Sequence, residues 1–202
     1  MKKLIIASNN KKKIKELKEI LNELDYEIKS LADEGIDIEV EEDKDTFEGN
    51  AEKKAKEIYE FLLKKGEKDF IVLSDDSGIE VDYLNGAPGV YSARYSGEHG
   101  DDEANNKKLL LELKGVSKEK RTARFVCAIA MIFSNGEKYT IRGTVEGIIE
   151  EKLNGLDGFG YDPLFYCPLI NKTFGEATSE EKNLISHRSN ALKQIKDILI
   201  NK

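Results

Sequence analysis

The stretch LSDDSGIEVDYLNGAPGVYSARYSG, residues 73–97, determines how the rest of the chain is interpreted. It continues the apolar run at 70–73, which predicts a buried strand, and it places Asp75 and Asp76 where that strand would end. An unpaired buried charge is costly, so packing alone rarely selects two adjacent carboxylates there. Binding of Mg²⁺ is one explanation, because this ion prefers carboxylate, phosphate and water oxygens. A turn formed by the two aspartates ahead of Gly78 is the other.

The composition argues against a disordered chain and against a membrane protein. Of the 202 residues, 39% are hydrophobic and 35% are charged. No apolar run approaches the roughly 20 residues that span a bilayer. The length suits a single domain over residues 1–202. The net charge of −7 argues against a nucleic-acid partner, but it allows a small anionic ligand in a local basic pocket.

The chain is expected to be cytoplasmic. Its N-terminal apolar run spans only about four residues before polar side chains begin, which predicts a first strand rather than a signal peptide. Cys127 and Cys167 lie far apart and form no CxxC motif, so neither a zinc site nor a disulfide is predicted. We interpret both cysteines as core or loop thiols.

Hydrophobic periodicity predicts helices that alternate with strands. Apolar residues at helical spacing indicate helices over residues 11–24, 46–65, 101–114 and 186–200. Short apolar or alternating runs indicate strands over residues 2–7, 36–41, 70–74, 78–83, 121–134 and 138–150. The last two are joined by a hairpin turn at residues 134–136. Strands that first alternate with helices and then form a long hairpin predict an α/β fold with a mixed sheet.

The segment SNNKKK, residues 8–13, lies between the first predicted strand and the first predicted helix. A strand-to-helix turn presents free backbone N–H groups, and the helix dipole adds partial positive charge. Ser8 and Asn10 supply hydrogen-bonding groups and Lys13 supplies a full charge, so the turn can hold a phosphate without the glycines of a Walker A loop. The alternative is structural, with Asn10 capping the helix and the lysines solvated.

An acidic segment at residues 39–43 precedes the second predicted helix. Most of it is interpreted as a solvated face. Glu42 is the exception, because it can reach a metal ion if its segment lies beside Asp76. The two carboxylates would then share Mg²⁺ as hard oxygen ligands.

Two late segments carry groups suited to a nucleotide base. In GLDGFGYDP, residues 155–163, the glycines allow a close backbone approach, and Phe159 and Tyr161 offer aromatic faces. Asp162 can accept a hydrogen bond from the base. A set of hydrogen-bond donors lies near the start of the last predicted helix and comprises Lys182, His187 and Arg188. The alternatives are a tight turn with core aromatics and a structural histidine.

Five motifs follow one another over nearly the whole chain: SNNKKK at 8–13, TFEGNAEKKA at 46–55, SDDSGIEVDYLNGAPGVYSARYSG at 74–97, GFGYDPLF at 158–165 and EEKNLISHRSNAL at 180–192. In this order they resemble the inosine triphosphate pyrophosphatase family. The resemblance implies two lobes around a long, mixed, twisted central sheet with flanking helices. It also implies an active site in the cleft between the lobes, and a homodimer.

The activity that the resemblance implies is hydrolysis of the purine nucleoside triphosphates ITP, dITP and XTP to the monophosphate and pyrophosphate, with Mg²⁺ as cofactor. Asp76 would be the catalytic proton acceptor and a metal ligand. Asp75 beside it would also be a catalytic residue, and Glu42 would be the second metal ligand. Lys13 would act in catalysis by neutralising phosphate charge. The implied substrate contacts are Ser8, Asn10, Lys13, Lys54, Ser77, Phe159, Gly160, Tyr161, Asp162, Lys182, His187 and Arg188.

Base selectivity follows from the donors of the last motif. His187 and Arg188 would meet the 6-oxo edge of hypoxanthine or xanthine, whereas adenine presents an amino donor there and would leave them unpaired. The chain departs from the family's pattern at two points. Residues 8–10 read Ser-Asn-Asn where bacterial members usually have Thr-Gly-Asn, and Glu48 and Gly49 stand in swapped order.

Three other functions are open from the sequence. A Maf-type pyrophosphatase acts on modified pyrimidine or methylated nucleotides with a similar fold, and the FGYD and SHR segments speak against it. A nucleotide sensor that binds without turnover would need no water-activating aspartates. A nucleic-acid-binding protein is disfavoured by the acidic balance.

Overall fold

The computed structural model describes residues 2–202. The α-helices are α1 (Lys11–Leu21), α2 (Phe47–Lys64), α3 (Asp102–Glu112), α4 (Ser179–Ile185) and α5 (His187–Ile200). The strands are β1 (Lys2–Ile6), β2 (Tyr26–Ser30), β3 (Phe70–Val81), β4 (Thr122–Phe133), β5 (Lys138–Ile149), β6 (Phe165–Cys167) and β7 (Lys172–Thr173). In this part of the chain, no helix is both long enough and apolar enough to cross a membrane.

The strands form one sheet in the order β2-β1-β3-β4-β5-β6-β7. β1 pairs in parallel with β2 and with β3, so that Leu4 lies opposite both Ile28 and Ile71. β6 pairs antiparallel with β5 and with β7. The sheet is therefore mixed, and the α/β fold predicted from the sequence is confirmed.

Contacts divide the chain into two compact units. Unit 1 comprises the described residues up to Asp76, together with 127–143 and 191–202. Unit 2 comprises residues 77–126 and 144–190. The long strands β3, β4 and β5 each contribute residues to both units. That residues 1–202 act as one functional domain stays a prediction.

Each unit has its own apolar core. In unit 1, Leu17 and Leu21 of α1 lie in one buried cluster with Ile71 and Leu73 of β3 and Ile195 of α5. The cluster of unit 2 joins α3, β3, β4 and β6 through Leu109, Leu113, Ile79, Val81, Phe125 and Phe165. Burying one such side chain is worth about 1.5–3 kcal/mol, so packing holds these helices more than helix propensity does.

One predicted strand is wrong. Residues 36–41 form no strand, and the strand beside β1 is instead Tyr26–Ser30, which the sequence did not reveal. Ile36 is buried without joining a strand ladder, so its apolar character reflects packing alone. Short alternating runs do not distinguish a paired strand from an extended loop. Periodicity also missed α4, β6 and β7, which are too short to show a repeat.

The strand at residues 70–74 does not end before the aspartates. The predicted strands at 70–74 and 78–83 are one continuous strand, β3, with Asp75 and Asp76 inside it. The alternative of a turn formed by the two aspartates is therefore wrong. An interior position requires that both buried carboxylates find partners.

Arg121 is a charged residue that is buried, and its guanidinium group joins three backbone segments of unit 2. Its Nε donates to the carbonyl oxygen of Ile149 at 2.7 Å. Its terminal nitrogens donate to the carbonyl oxygens of Leu113 and Glu150, both at 2.8 Å. One guanidinium group thereby satisfies carbonyls at the ends of α3 and β5.

We expect Arg121→Met to lower the free energy of unfolding by roughly 3 kcal/mol, because three carbonyl oxygens lose their charged donor. Urea denaturation followed by circular dichroism measures the change. Lys120→Met, at the exposed neighbouring position, is the matched control and should change stability by less than about 0.5 kcal/mol. Equal stability of the Arg121→Met variant and the wild type would contradict this role.

Candidate functional site

Asp75 and Asp76 lie side by side in β3 and meet different partners, because successive side chains of a strand point to opposite faces. Asp75 Oδ2 lies 3.4 Å from Lys13 Nζ of α1 and 3.9 Å from Cys127 Sγ of β4. Both carboxylates are almost completely buried. The predicted catalytic residues Lys13 and Asp75 are thus in contact within unit 1.

Asp76 contacts α2. Its Oδ2 accepts a hydrogen bond of 3.0 Å from Asn50 Nδ2, and its Oδ1 lies 3.9 Å from Lys54 Nζ. Asn50 Oδ1 accepts from the backbone N–H of Lys44 at 2.9 Å, which fixes the orientation of the amide. Lys54 Nζ also donates to Glu42 Oε1. The carboxylates of Asp76 and Glu42 therefore share one ammonium group.

Burial raises the pKa of Asp76, because the cost of desolvation outweighs the attraction of Lys54 and Lys13. Burial also opposes ionisation of Glu42, but the charge and hydrogen bond of Lys54 outweigh it and lower the pKa of Glu42. Burial acts to lower the pKa of Lys54, and the charges of Asp76 and Glu42 reverse this, so that it is raised. Asp76 is thus more easily protonated than Glu42, relative to their ordinary values.

The same two carboxylates are those expected to hold Mg²⁺. Asp76 and Glu42 already converge on one cation, the Lys54 ammonium, and carboxylate oxygens are the ligands that Mg²⁺ prefers. Within residues 2–202, no group of three or more His, Cys, Asp or Glu side chains is arranged to hold a metal ion. Two carboxylates completed by phosphates and water are an ordinary Mg²⁺ environment, so the donor set fits this ion.

The start of α1 is built as a capped helix terminus. Asn10 Oδ1 accepts from the backbone N–H groups of Lys12 and Lys13 at 3.0 and 3.1 Å, which confirms the capping role predicted as the structural alternative. Ser8 Oγ accepts from the backbone N–H of Asn10 at 3.2 Å. Asn10 is exposed and Ser8 is half-buried. Contacts of Ser8 and Asn10 with phosphate stay predictions.

In unit 2, two cationic side chains lie beside the ring of Phe159. Lys182 Nζ is 4.8 Å from the ring centre and donates to Asp162 Oδ2 at 2.7 Å. The Arg188 guanidinium lies 6.0 Å from the same centre, and its Nη2 donates to Ser77 Oγ at 3.1 Å. Both distances are within the range of cation–π attraction. Five predicted substrate-binding residues are thereby brought together.

Tyr161 and Asp162 bind the chain itself. Tyr161 is buried, its hydroxyl donates to the carbonyl oxygen of Ser92 at 2.8 Å, and burial raises the pKa of this tyrosine. Asp162 Oδ2 accepts from the backbone N–H of Phe159 at 2.9 Å, in addition to Lys182. These contacts favour the structural alternative for Tyr161 and Asp162, whereas Phe159 is only half-buried. Their contacts with a base stay predictions.

His187 and Gly160 complete the predicted base-binding set. The imidazole of His187 stacks on Phe125, with ring centres 4.9 Å apart and an angle of 16° between the planes. Gly160 has a φ of +61°, a left-handed conformation that glycine adopts without strain. The predicted residues thus form two groups, one in each unit.

Sequence reasoning missed Asn50 and the position of Cys127 beside Asp75. Both are fully buried. Asn50 is a poor residue for a helix interior, yet it lies on the apolar face of α2. That mismatch is the signal that could have identified it. No comparable signal marks Cys127, which the sequence correctly described as a core thiol.

We expect Asp76→Asn to be at least as stable as the wild type at neutral pH in metal-free buffer. The folded-state pKa of Asp76 is raised, so the folded chain binds this proton more tightly than the unfolded chain does. The associated stability is present at low pH and is lost as pH rises from 3.8, the unfolded value, through the folded value. The advantage of the asparagine variant should therefore grow with pH.

Urea denaturation from acidic to neutral pH measures this difference. Asp37→Asn, at an exposed carboxylate, is the control and should follow the wild type throughout. A deficit in the stability of Asp76→Asn that grows with pH would contradict the expectation.

Comparisons with known proteins identify the family. The sequence model of the Ham1 family matches residues 4–198. A Clostridium perfringens protein named dITP/XTP pyrophosphatase is 59% identical over 199 residues, which are 98% of each chain. A solved Staphylococcus aureus Ham1 protein matches with 42% identity, 99% of each chain and a TM-score of 0.86. A Coxiella burnetii HAM1 protein matches with 34% identity, 100% of each chain and a TM-score of 0.86. These matches confirm the resemblance carried by the five motifs, and the chain belongs to the Ham1 family.

Proposed function

We propose that this chain hydrolyses the non-standard purine nucleoside triphosphates dITP, XTP and ITP to the nucleoside monophosphate and pyrophosphate. The observation that carries the proposal is the buried pair Asp75 and Asp76, each beside a lysine ammonium, in a member of the Ham1 family. The name of the Clostridium perfringens relative, dITP/XTP pyrophosphatase, supports this substrate class.

Asp76 is the proton acceptor in this proposal. Burial raises the pKa of its carboxyl group, which brings it toward the range in which a general base works well at neutral pH. The hydrogen bond from Asn50 orients the carboxylate. A water molecule that gives its proton to Asp76 becomes the nucleophile toward the triphosphate.

Lys13 and Lys54 neutralise charge on the triphosphate. Their side chains are only 14% and 12% exposed, so they act where charges interact more strongly than in bulk water. Charge that shifts toward the leaving pyrophosphate would be stabilised by such preorganised cations. Ser8 and Asn10 at the start of α1 extend the same anion-binding region through hydrogen bonds.

Mg²⁺ is the proposed cofactor, and Asp76 and Glu42 would hold it. When bound, it would neutralise phosphate charge and favour deprotonation of water. The support for this assignment is the convergence of the two carboxylates on the Lys54 ammonium.

The base is proposed to stack on Phe159 and to be recognised by Lys182, His187 and Arg188. Lysine and arginine carry donors only, so they match the 6-oxo acceptor of hypoxanthine and xanthine and not the amino group of adenine. The positions of Lys182 and Arg188 beside the Phe159 ring support this assignment. The remaining residues proposed to contribute to the base site are Ser77, Gly160, Tyr161 and Asp162.

We further propose that the protein works as a cytoplasmic homodimer. Cys127 and Cys167 are both buried and form no disulfide, as is usual for proteins of a reducing compartment. The homodimer is supported by the family resemblance.

A nucleotide panel with Mg²⁺ tests the reaction. We expect kcat/KM for dITP, XTP and ITP to exceed that for dATP by about 100-fold or more, because a mismatched donor leaves buried donors unpaired. Pyrophosphate should be the first product, measured separately from orthophosphate. A preference for modified pyrimidine or methylated nucleotides would instead favour the Maf-type reaction, and binding without turnover would favour a sensor.

Two substitutions test the acidic site. Asp76→Asn should lower kcat by roughly 10³-fold, because the proton acceptor is lost. Glu42→Gln should raise the Mg²⁺ concentration that gives half-maximal rate by about tenfold. Titration of activity with Mg²⁺ measures both effects. Glu41→Gln, at the exposed neighbour, is the control and should behave as the wild type. Near-normal turnover by Asp76→Asn would exclude this mechanism.

A further inference from the structure

The start of α3 holds the loop that carries Phe159. The backbone N–H of Gly160 donates to Asp102 Oδ2 at 2.9 Å. Asn106 Nδ2 donates to the carbonyl oxygen of the same glycine at 2.8 Å. Residues 102 and 106 are four apart, so their side chains are neighbours on one face of the helix. Both polar backbone groups of Gly160 are therefore bound by α3, an element to which the proposed function gives no role.

Asn106 is suited to this contact rather than to the helix itself. It is 5% exposed, and a buried amide destabilises a helix interior unless it is hydrogen-bonded. Its Nδ2 also donates to the carbonyl oxygen of Asp102 at 2.8 Å, which directs the amide toward the start of α3. The adjacent Asn105 has a separate partner, since its Oδ1 accepts from the backbone N–H of Ser96 at 2.7 Å.

The hydrogen bonds at Gly160 also restrain the backbone of Phe159. The two residues are consecutive, and the backbone N–H of Phe159 is itself fixed by Asp162 Oδ2 at 2.9 Å. A Cβ added at Gly160 would meet no atom within 4 Å. The glycine is therefore required by the left-handed backbone conformation and not by the close approach of another atom. The backbone before the Phe159 side chain is thus held by Asp162, and the backbone after it is held by Asp102 and Asn106.

We propose that Asp102 and Asn106 are positioning residues for purine recognition. They act through the backbone of Gly160, so that Phe159 keeps its place beside Lys182 and Arg188. A loop fixed before binding holds the 6-position of a stacked base at the donors of Lys182 and Arg188, so it strengthens binding of a 6-oxo base more than binding of adenine. This inference rests on the proposed function, because it assigns the role of α3 at the same base site.

The test compares kinetics of four variants on dITP and dATP. Asn106→Ala removes the donor to Gly160, and Asp102→Ala removes the acceptor. Each should raise KM for dITP about tenfold and change kcat by less than about twofold, because the lost hydrogen bond acts on binding. The ratio of kcat/KM for dITP to that for dATP should fall.

Asn106→Asp keeps the shape of the side chain but offers no amide donor, so it should behave like Asn106→Ala. Asp102→Asn keeps an acceptor oxygen, so its KM should be close to that of the wild type.

Asp101→Ala is the matched structural control. Asp101 Oδ1 caps α3 by accepting from the backbone N–H of Ala104 at 2.9 Å. Its loss should lower the melting temperature while KM and selectivity stay as in the wild type, because both bonds to Gly160 are kept.

The outcomes separate the two proposals. A wild-type chain that does not hydrolyse dITP would overturn the proposed function, and this inference would fail with it. If the wild type is active, the inference alone is overturned when the Asp102 and Asn106 variants lower kcat/KM for dITP and dATP by one common factor. It is also overturned if Asp101→Ala reproduces their change in selectivity.

Discussion

Two carboxylates buried in the middle of one strand are the constraint on which the rest of unit 1 depends. A buried charge without a partner would destabilise the fold strongly, and β3 contains two of them in succession. Helix α1 brings Lys13 to Asp75, and helix α2 brings Lys54 and Asn50 to Asp76. The two helices therefore serve charge compensation as well as packing, since α1 packs into the apolar cluster that contains Ile71 and Leu73 of β3, and α2 buries an apolar face of its own.

Compensation is incomplete at Asp76, and this has a chemical use. The raised pKa shows that burial still outweighs the neighbouring ammonium groups, so the ionised carboxylate is held in an unfavourable state. Such a group accepts a proton more readily than an exposed aspartate does. Leu17 and Leu21 belong to the apolar cluster that offsets this cost within unit 1. Stability and reactivity thus oppose each other at a single residue.

The sequence predicted long elements and charged motifs better than short elements and neutral side chains. Helices α1 and α2 and the hairpin of β4 and β5 carry repeats long enough to be recognised. β2 was missed because residues 36–41 show as much alternation, and only pairing with β1 distinguishes the two. The two aspartates inside β3 lie beside Lys13 and Lys54, which are distant in sequence, so the sequence around Asp75 and Asp76 alone indicated a strand end. Asn50 lies inside the motif at residues 46–55, but its contact was missed because its partner Asp76 is met only in the folded chain.

Asp75 and Asp76 point to opposite faces of the sheet because they are consecutive in β3. The site therefore depends on whether the number of residues that precede them in the strand is odd or even, which is here called the parity of β3. Removing or adding one residue between Phe70 and Asp75 would exchange the two faces, so that Asp75 would meet α2 and Asp76 would meet α1. The motif would read the same in sequence, yet each carboxylate would face the wrong lysine. Removing or adding two residues would leave each carboxylate on its own face and would shift both only along the strand axis. Length variation among relatives should therefore concentrate before Phe70, outside the strand, where parity does not matter.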